Sequence, residues 1–236
     1  TAMTTPAPHY PLSGITVLDL GQIYQGPYCG LLLALAGARV IKIEPPQGEP
    51  VRSRRGVSVP LAMLNSNKEG ITLDLKSEAG REAFLRLVDE ADVVLENFLP
   101  GVMERLGLGG PALLQRNPRL VFASASGYGS SGPYKDMLAM DLTIQAMSGM
   151  INATGFPDQP PVKAGPSICD FLGGAHLYGA IVTALLERTQ TGAGRICEVA
   201  MLDAAYLALT STIGLDFDAP DANPRTGSRH AGLAMA

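Results

Sequence analysis

The chain has 236 residues, room for one large domain or two small ones. Hydrophobic residues make up 46% of it, enough for a sizeable core. Charged residues make up only 17% and the net charge is −4, a balance that excludes nucleic acid or an anionic membrane surface as the main partner. No apolar run reads as long enough to span a bilayer, since "GLLLALAG" is far too short. Cys29, Cys169 and Cys197 are odd in number and form no C-x-x-C pair, so neither a zinc site nor a disulfide frame is expected and a reducing cytoplasm is the natural home. His9, His176 and His230 are scattered, which argues against a histidine-rich metal site.

Residues 1–11 are small, polar and Pro-rich, and read as a loose arm rather than a signal peptide. "TVLDL" (16–20) is a short β-branched apolar run ended by glycine, a strand. "PYCGLLLALAG" (27–37) is a helix, with Pro27 where a first turn tolerates it and Gly37 at its end. "ARVIKIE" (38–44) and "ITLDL" (71–75) are strands. Residues 77–91 form an amphipathic helix with Ala83, Phe84, Leu87 and Val88 on one face and Ser77 as N-cap. "DVVLENF" (92–98) and "RLVFASASG" (119–127) are strands, and 140–151 and 171–190 are helices. Residues 194–201 form a late strand and 202–214 a late helix. Alternating buried strands and helices predict an α/β domain with a mostly parallel, Rossmann-like sheet flanked by helices over residues 1–214. Residues 215–236, rich in Pro, Asp and Gly, read as a linker, which predicts a chain that continues into a further domain.

The first strand–helix turn, "DLGQIYQGPYCG", lacks the G-x-G-x-x-G of a dinucleotide site, because Gly21 and Gly26 are five apart, and no Walker Gly-Lys-Ser/Thr occurs. It is either a plain turn or a ligand loop carrying Gln22, Tyr24 and Gln25 at the carboxyl edge of the sheet. "ASASGYGSSGP" (123–133) is either a flexible turn or a mobile loop that covers a site or cradles an anion. Arg52, Arg54 and Arg55 form a basic cluster, solvated or phosphate-binding. Asn97, Phe98 and Arg105 supply an amide, an aromatic face and a cation after the fourth strand.

"PSICDFLGGAH" (166–176) sets a lone carboxylate, Asp170, at the mouth of an apolar helix. Asp170 is either an N-cap or a nucleophile. Gly173 and Gly174 are poor helix formers, each costing roughly 1 kcal/mol against alanine, and would leave room for a substrate beside the carboxylate. The helix N-terminus would keep Asp170 ionised. Cys169 reads as a buried structural thiol in preference to a Cys169–His176 dyad.

Six segments in order resemble the class III CoA-transferase family, which includes formyl-CoA transferase, carnitine CoA-transferase and bile-acid CoA-transferase: "LSGITVLDLGQIYQGPYCGLLLALAGARVIKIEPP", "LNSNKEGITLDLKSEAGR", "ADVVLENFLPGVMERLGLG", "NPRLVFASASGYGSSGPY", "DLTIQAMSGMINATG" and "DFLGGAHLYGAIVTALLERTQTGAGRICEVAMLDA". The resemblance implies that Asp170 is the catalytic aspartate and Asp141 a second acid near the reacting group. It implies that Tyr24 and Gln25 meet the thioester end of coenzyme A, and that Lys76, Asn97, Phe98 and Arg105 contact the rest of that molecule. Pro45 and Leu138 stand where some transferases carry basic residues, which shifts the phosphate contacts towards Arg52–Arg55.

The activity so implied is CoA transfer between an acyl-CoA and a free carboxylic acid through a covalent aspartyl intermediate. Coenzyme A enters as substrate, and no metal or permanently bound cofactor takes part. The resemblance also implies an interlocked homodimer and a smaller domain beyond this chain, while the composition speaks against nucleic-acid and membrane partners. A 2-methylacyl-CoA racemase is the alternative within the same fold, but its histidine position is Met140 here. A non-catalytic CoA-binding subunit is the alternative outside enzymology.

Overall fold

The computed structural model describes residues 10–52, 56, 58–219 and 223–229. In chain order the elements are β1 (Thr16–Asp19), α1 (Gln25–Leu35), β2 (Arg39–Glu44), α2 (Val59–Leu64), β3 (Glu69–Thr72), α3 (Glu78–Val88), β4 (Val93–Glu96), α4 (Val102–Arg105), α5 (Gly110–Arg116) and β5 (Val121–Ser126). There follow α6 (Asp141–Met147), α7 (Met150–Ala153), α8 (Ile168–Thr191), β6 (Arg195–Ala200), α9 (Met201–Ala208) and α10 (Thr210–Asp218). The six strands form one wholly parallel sheet in the order β3-β2-β1-β4-β5-β6.

The order follows from burial. In the central strands successive residues feed opposite faces: Val17 and Val93 pack under α1 and α8 with Leu33, Leu177 and Ile181, while Leu18 and Val94 pack under α3 and α5 with Phe84 and Leu113. Both faces are apolar, so both need a helical layer, and parallel strands joined by helices supply it. β3 lies at an edge and is exposed throughout. Its first residue, Glu69, meets Arg39 in a two-pronged ion pair at 2.9 Å.

The order reverses at β1, which has β2 on one side and β4 on the other. The loops leaving the carboxyl ends of β1 and β4 therefore diverge, and such a crevice is where open parallel sheets bind ligands.

Ser77 caps α3 as expected, accepting from the Gly80 N–H at 3.0 Å. Several expectations need correction. The strand expected at 71–75 lies at Glu69–Thr72, and the helix expected at 140–151 breaks at Gly149, whose φ of +88° ends α6 and starts α7. The late helix continues through α10 to Asp218, past the boundary drawn at residue 214. Beyond it Arg225 donates to the Asn152 and Phe156 carbonyls, and the Gly227 N–H to the Gly155 carbonyl, so residues 223–229 are tied to the loop after α7. The short helices α2, α4 and α5 were not foreseen.

α8, at 24 residues, is long and apolar enough by length and composition to cross a membrane, contrary to the expectation that no segment is. In the fold one side of it is spent on the sheet through Leu177, Ile181 and Ala184, and near its end Arg188 is buried against Asp92 at 2.8 Å.

Candidate functional site

Two cavities lie at the carboxyl edge, and Gln22 and Phe98 line both. The first, of about 490 Å³, is walled by the 22–25 loop, Asn97, the 126–128 turn, residues 137–143 and the start of α8 with Asp170. The second, of about 560 Å³, is walled by Leu20, Pro45, Leu73, Lys76, Phe98 and Arg105. Asp170, Asp141, Tyr24, Gln25 and Asn97 all line the first cavity, Lys76 and Arg105 line the second, and Phe98 stands at the junction.

Asp170 is not a cap. Ser167 is the N-cap residue of α8, and Asp170 sits in the first turn. The capping acceptor comes from elsewhere: Asp141 Oδ1 accepts from the Cys169 N–H at 2.7 Å and from the Asp170 N–H at 3.2 Å. Asp141 Oδ2 accepts from Gln145 Nε2 at 2.5 Å, and Gln145 Oε1 accepts from the Ala164 N–H at 2.8 Å. α6 thus supplies the missing acceptor of α8 and fixes the turn that carries Asp170. The Asp170 carboxylate itself has no hydrogen-bond partner among the described residues.

The expectation that the helix terminus keeps Asp170 ionised is also corrected. Burial, and then the negative charge of Asp141, push its carboxyl up to about 7. The same two influences, joined by Asp170 itself, push the Cys169 thiol up to about 12. Cys169 lies inside the helix, fully buried, as a structural thiol. His176 is exposed, with its ring Nδ1 2.8 Å from the Leu172 carbonyl.

Gly173 and Gly174 do not make room for a substrate. A Cβ on Gly173 would stand 2.5 Å from Gln25 Nε2, and one on Gly174 would stand 2.6 Å from the Gln25 carbonyl oxygen. They let α8 close on the first turn of α1, and Phe171 meets Tyr28 edge-on at 4.8 Å. Gln25 is 2% exposed and its Nε2 has no partner among the described residues, a donor held beside the turn that carries Asp170.

The 21–25 loop is pinned at Gly21, Gln22 and Ile23. Gly21 N–H donates to Asp19 Oδ1 at 2.7 Å, and Lys42 Nζ donates to the Gly21 carbonyl. Asn97 takes Gln22 at both ends, accepting its N–H at 2.7 Å and donating to its carbonyl at 3.0 Å. Asn97 therefore orders the loop backbone, and its amide keeps a second N–H for a ligand in the first cavity, which it lines. Ile23 has φ +65°, a conformation that costs a β-branched residue on the order of 1–3 kcal/mol, and its N–H donates to Glu49 Oε2 at 2.9 Å. Beneath the loop Lys68 Nζ is held by Asp19 at 2.7 Å, by the Pro27 carbonyl and by Asn65, with almost no exposure. Gly21 and Gly26 lie so close that a Cβ on Gly21 would be 2.7 Å from the Gly26 carbonyl carbon, so these glycines serve a tight chain crossing.

Arg52 is spent: its guanidinium forks onto Glu44 at 2.6 and 2.7 Å, and it lines neither cavity. Arg54 and Arg55 lie outside the described residues. The loop after β5 forms a wall of the first cavity and is anchored, since Ser130 Oγ donates to Glu198 at 2.7 Å. By contrast Lys76 Nζ and the Arg105 guanidinium have no hydrogen-bond partner among the described residues. In the first cavity wall, Leu138 and Met140 are exposed apolar side chains. Asp19, Lys42, Glu49 and Lys68 were missed in the sequence. The available signal was Lys42 itself, a lysine inside a strand buried on both faces, which must find a partner.

A parallel sheet with a carboxylate at its switch-point crevice and unspent cations about one cavity further along has known counterparts. Residues 12–236 match the model of CoA-transferase family III. The chain is 42% identical to acetyl-CoA:oxalate CoA-transferase of Acetobacter aceti, covering 98% of this chain and 61% of that one. It is 38% identical to succinyl-CoA–D-citramalate CoA-transferase of Chloroflexus aurantiacus, covering 89% and 54%. A crystal structure of a CaiB/BaiF family protein from Brucella suis superposes with a TM-score of 0.90 at 35% identity, covering 96% of this chain and 62% of that one. The chain thus spans about half to three-fifths of the length of these relatives. On this likeness and on the parallel sheet that carries the site, the chain belongs to CoA-transferase family III.

Proposed function

We propose that the protein transfers coenzyme A between an acyl-CoA and a free carboxylic acid, with Asp170 as nucleophile. The observation that carries this is the pairing of cavities. Among the described residues an unpartnered carboxylate lines one, cations without hydrogen-bond partners line the other, and Gln22 and Phe98 are common to both. A molecule with an acyl thioester at one end and phosphates at the other fits that division of chemistry.

The ionised Asp170 carboxylate attacks the thioester carbonyl carbon, the C–S bond breaks, and coenzyme A leaves as thiolate from a mixed anhydride. The thiolate attacks the aspartyl carbonyl and displaces the donor acid as its carboxylate, leaving an aspartyl-CoA thioester. The acceptor carboxylate attacks that thioester, which regenerates a mixed anhydride and thiolate. Attack of the thiolate on the acceptor's acyl carbon then gives the new acyl-CoA and frees Asp170. Each tetrahedral centre carries an oxyanion, and the Gln25 amide and nearby backbone N–H groups are the donors at hand. Asp141, spent on the α8 terminus, positions Asp170 and tunes its proton affinity.

The acceptor belongs to the short dicarboxylic acids. Relatives are named for oxalate, citramalate, glutarate and malate. The first cavity wall carries Lys135, which suits a second carboxylate, and Lys163, whose Nζ also donates to the Ala164 and Gly165 carbonyls. We further take the described sheet as the larger domain of a cytoplasmic homodimer, with a smaller domain following the last helix. The test is a screen of acyl-CoA donors against mono- and dicarboxylates, run in deuterated water with the protein at its full length. CoA exchange without deuterium at the α-carbon is expected. Rapid α-deuteration with no exchange to any acid would overturn the reading in favour of a racemase.

A further inference from the structure

We propose that Glu49 is a positioning residue for this site: its buried carboxylate holds Ile23 in the left-handed conformation and so sets the backbone of Tyr24 and Gln25 in the cavity wall they share with Asp170. The inference rests on reading that cavity as the CoA-transfer site.

Ile23 and Asn67 are the two non-glycine residues with positive φ among those described, and Ile23 lines the first cavity. An isoleucine has no intrinsic reason to be there. Gly21 and Gln22, before it, have their own anchors in Asp19, Lys42 and Asn97, and α1 begins at Gln25. At Ile23 itself the anchor is one hydrogen bond, from its N–H to Glu49 Oε2 at 2.9 Å.

Glu49 is built in place. It is 1% exposed, with Lys42 Nζ 3.6 Å from Oε2, and Asp19 and Glu44 are the nearby like charges. Its own N–H donates to Glu44 Oε2 at 3.2 Å, and Glu44 is locked by the Arg52 fork. Its second oxygen is buried with no partner among the described residues. A segment that needed only packing here would be better served by an apolar side chain, since a buried carboxylate carries a large desolvation cost. The carboxylate is retained where it grips the one strained residue of a loop that faces the candidate nucleophile's cavity.

Two substitutions of similar length separate gripping from packing. Glu49→Gln keeps an oxygen acceptor for the Ile23 N–H and loses the charge, whereas Glu49→Met loses both. In the full-length protein Glu49→Met should lower kcat for CoA exchange at least about tenfold with KM for acyl-CoA within about twofold, and Glu49→Gln should keep kcat within about threefold. Adding Ile23→Gly to Glu49→Met should restore most of the loss, because glycine adopts positive φ without strain. Amide hydrogen exchange at Ile23 should quicken in the Met variant and not in the Gln variant.

Equal losses in the Gln and Met variants, or unchanged kcat in the Met variant, would overturn the proposal. If the Met variant does not fold, Glu49→Gln decides, and a fall of kcat beyond about tenfold would overturn it. Absence of CoA exchange in the unmodified protein would instead sink the reading of the site, and exchange at Ile23 would still report whether Glu49 holds the loop.

Discussion

The ground beneath the 21–25 loop and the second cavity both collect charge, but they use it in opposite ways. Under the loop Lys42, Lys68, Asp19 and Glu49 are almost completely buried and bonded to one another or to backbone. In the second cavity Lys76 and Arg105 line open space without such partners among the described residues. Buried charges are tolerated only when paired, and once paired they fix geometry. Cations at a cavity wall keep their hydrogen-bonding capacity for a ligand. Sequence alone shows a lysine in each place, and the fold says what each one meets.

The largest expected effect breaks the reactive side of this division. Asp170→Asn should lower CoA transfer by at least about a thousandfold, because the amide has no anionic oxygen to attack with. It should not destabilise the fold. Asp170 has its carboxyl raised to about 7, so the folded state binds a proton there more tightly than the unfolded chain does. That favours folding below the ordinary carboxylate range and is lost as pH rises towards 7. At pH 8 the ionised, desolvated carboxylate costs up to a few kcal/mol, and Asp170→Asn should raise Tm there while changing it little at pH 4. Thermal unfolding at the two pH values checks this. A loss of stability at pH 8 would mean that the fold favours the ionised carboxylate, contrary to its raised pKa.

The cationic side should fail differently. Lys76→Met and Arg105→Ala should each raise KM for acyl-CoA about tenfold or more, the worth of a charge-assisted hydrogen bond, with kcat within about threefold. Initial-rate kinetics at varied acyl-CoA distinguish this from a loss of kcat, which would place these residues near the reacting atoms instead.

A smaller effect sharpens the link between the two acids. kcat/KM for acyl-CoA should rise with pH through about 7 as Asp170 ionises. Asp141→Asn keeps an oxygen for the Cys169 and Asp170 N–H groups and removes the like charge, so the rising limb should move to lower pH. A limb that does not move would mean that Asp141 exerts no charge on the nucleophile.

Smaller still, Gly174→Ala should cost roughly 1–3 kcal/mol, read from denaturant unfolding, because its methyl meets the Gln25 backbone carbonyl, a clash that outweighs the roughly 1 kcal/mol alanine gains in a helix. An unchanged midpoint would mean that α1 and α8 can part at no cost.

The alternating strands and helices were legible because β-branched runs such as "RVIKIE" and amphipathic stretches such as 77–91 carry their periods in the sequence. Asp170 was legible as a residue but not in its setting. The acceptor that caps α8 comes from Asp141, 29 positions earlier, and the glycines that looked like substrate space are contacts with α1. Neither follows from local spacing, because both depend on which elements the sheet brings together. Asn97 and Arg52 show the same limit. Asn97 read as a contact of coenzyme A and Arg52 as solvated or phosphate-binding, and both also bond within the protein, on Gln22 and Glu44. Glu49 carried no pattern at all, since its task is set by a backbone angle at Ile23.

The central claim, that the Asp170 carboxylate becomes covalently bonded to substrate, has a direct measurement. The full-length protein is mixed with acyl-CoA and hydroxylamine, and its peptides are analysed by mass spectrometry. An anhydride or aspartyl thioester should be captured as a hydroxamate on the peptide containing "SICDFLGG", at Asp170, with matching loss of activity. An adduct on Cys169, or full activity and an unmodified Asp170 after many turnovers in hydroxylamine, would contradict it.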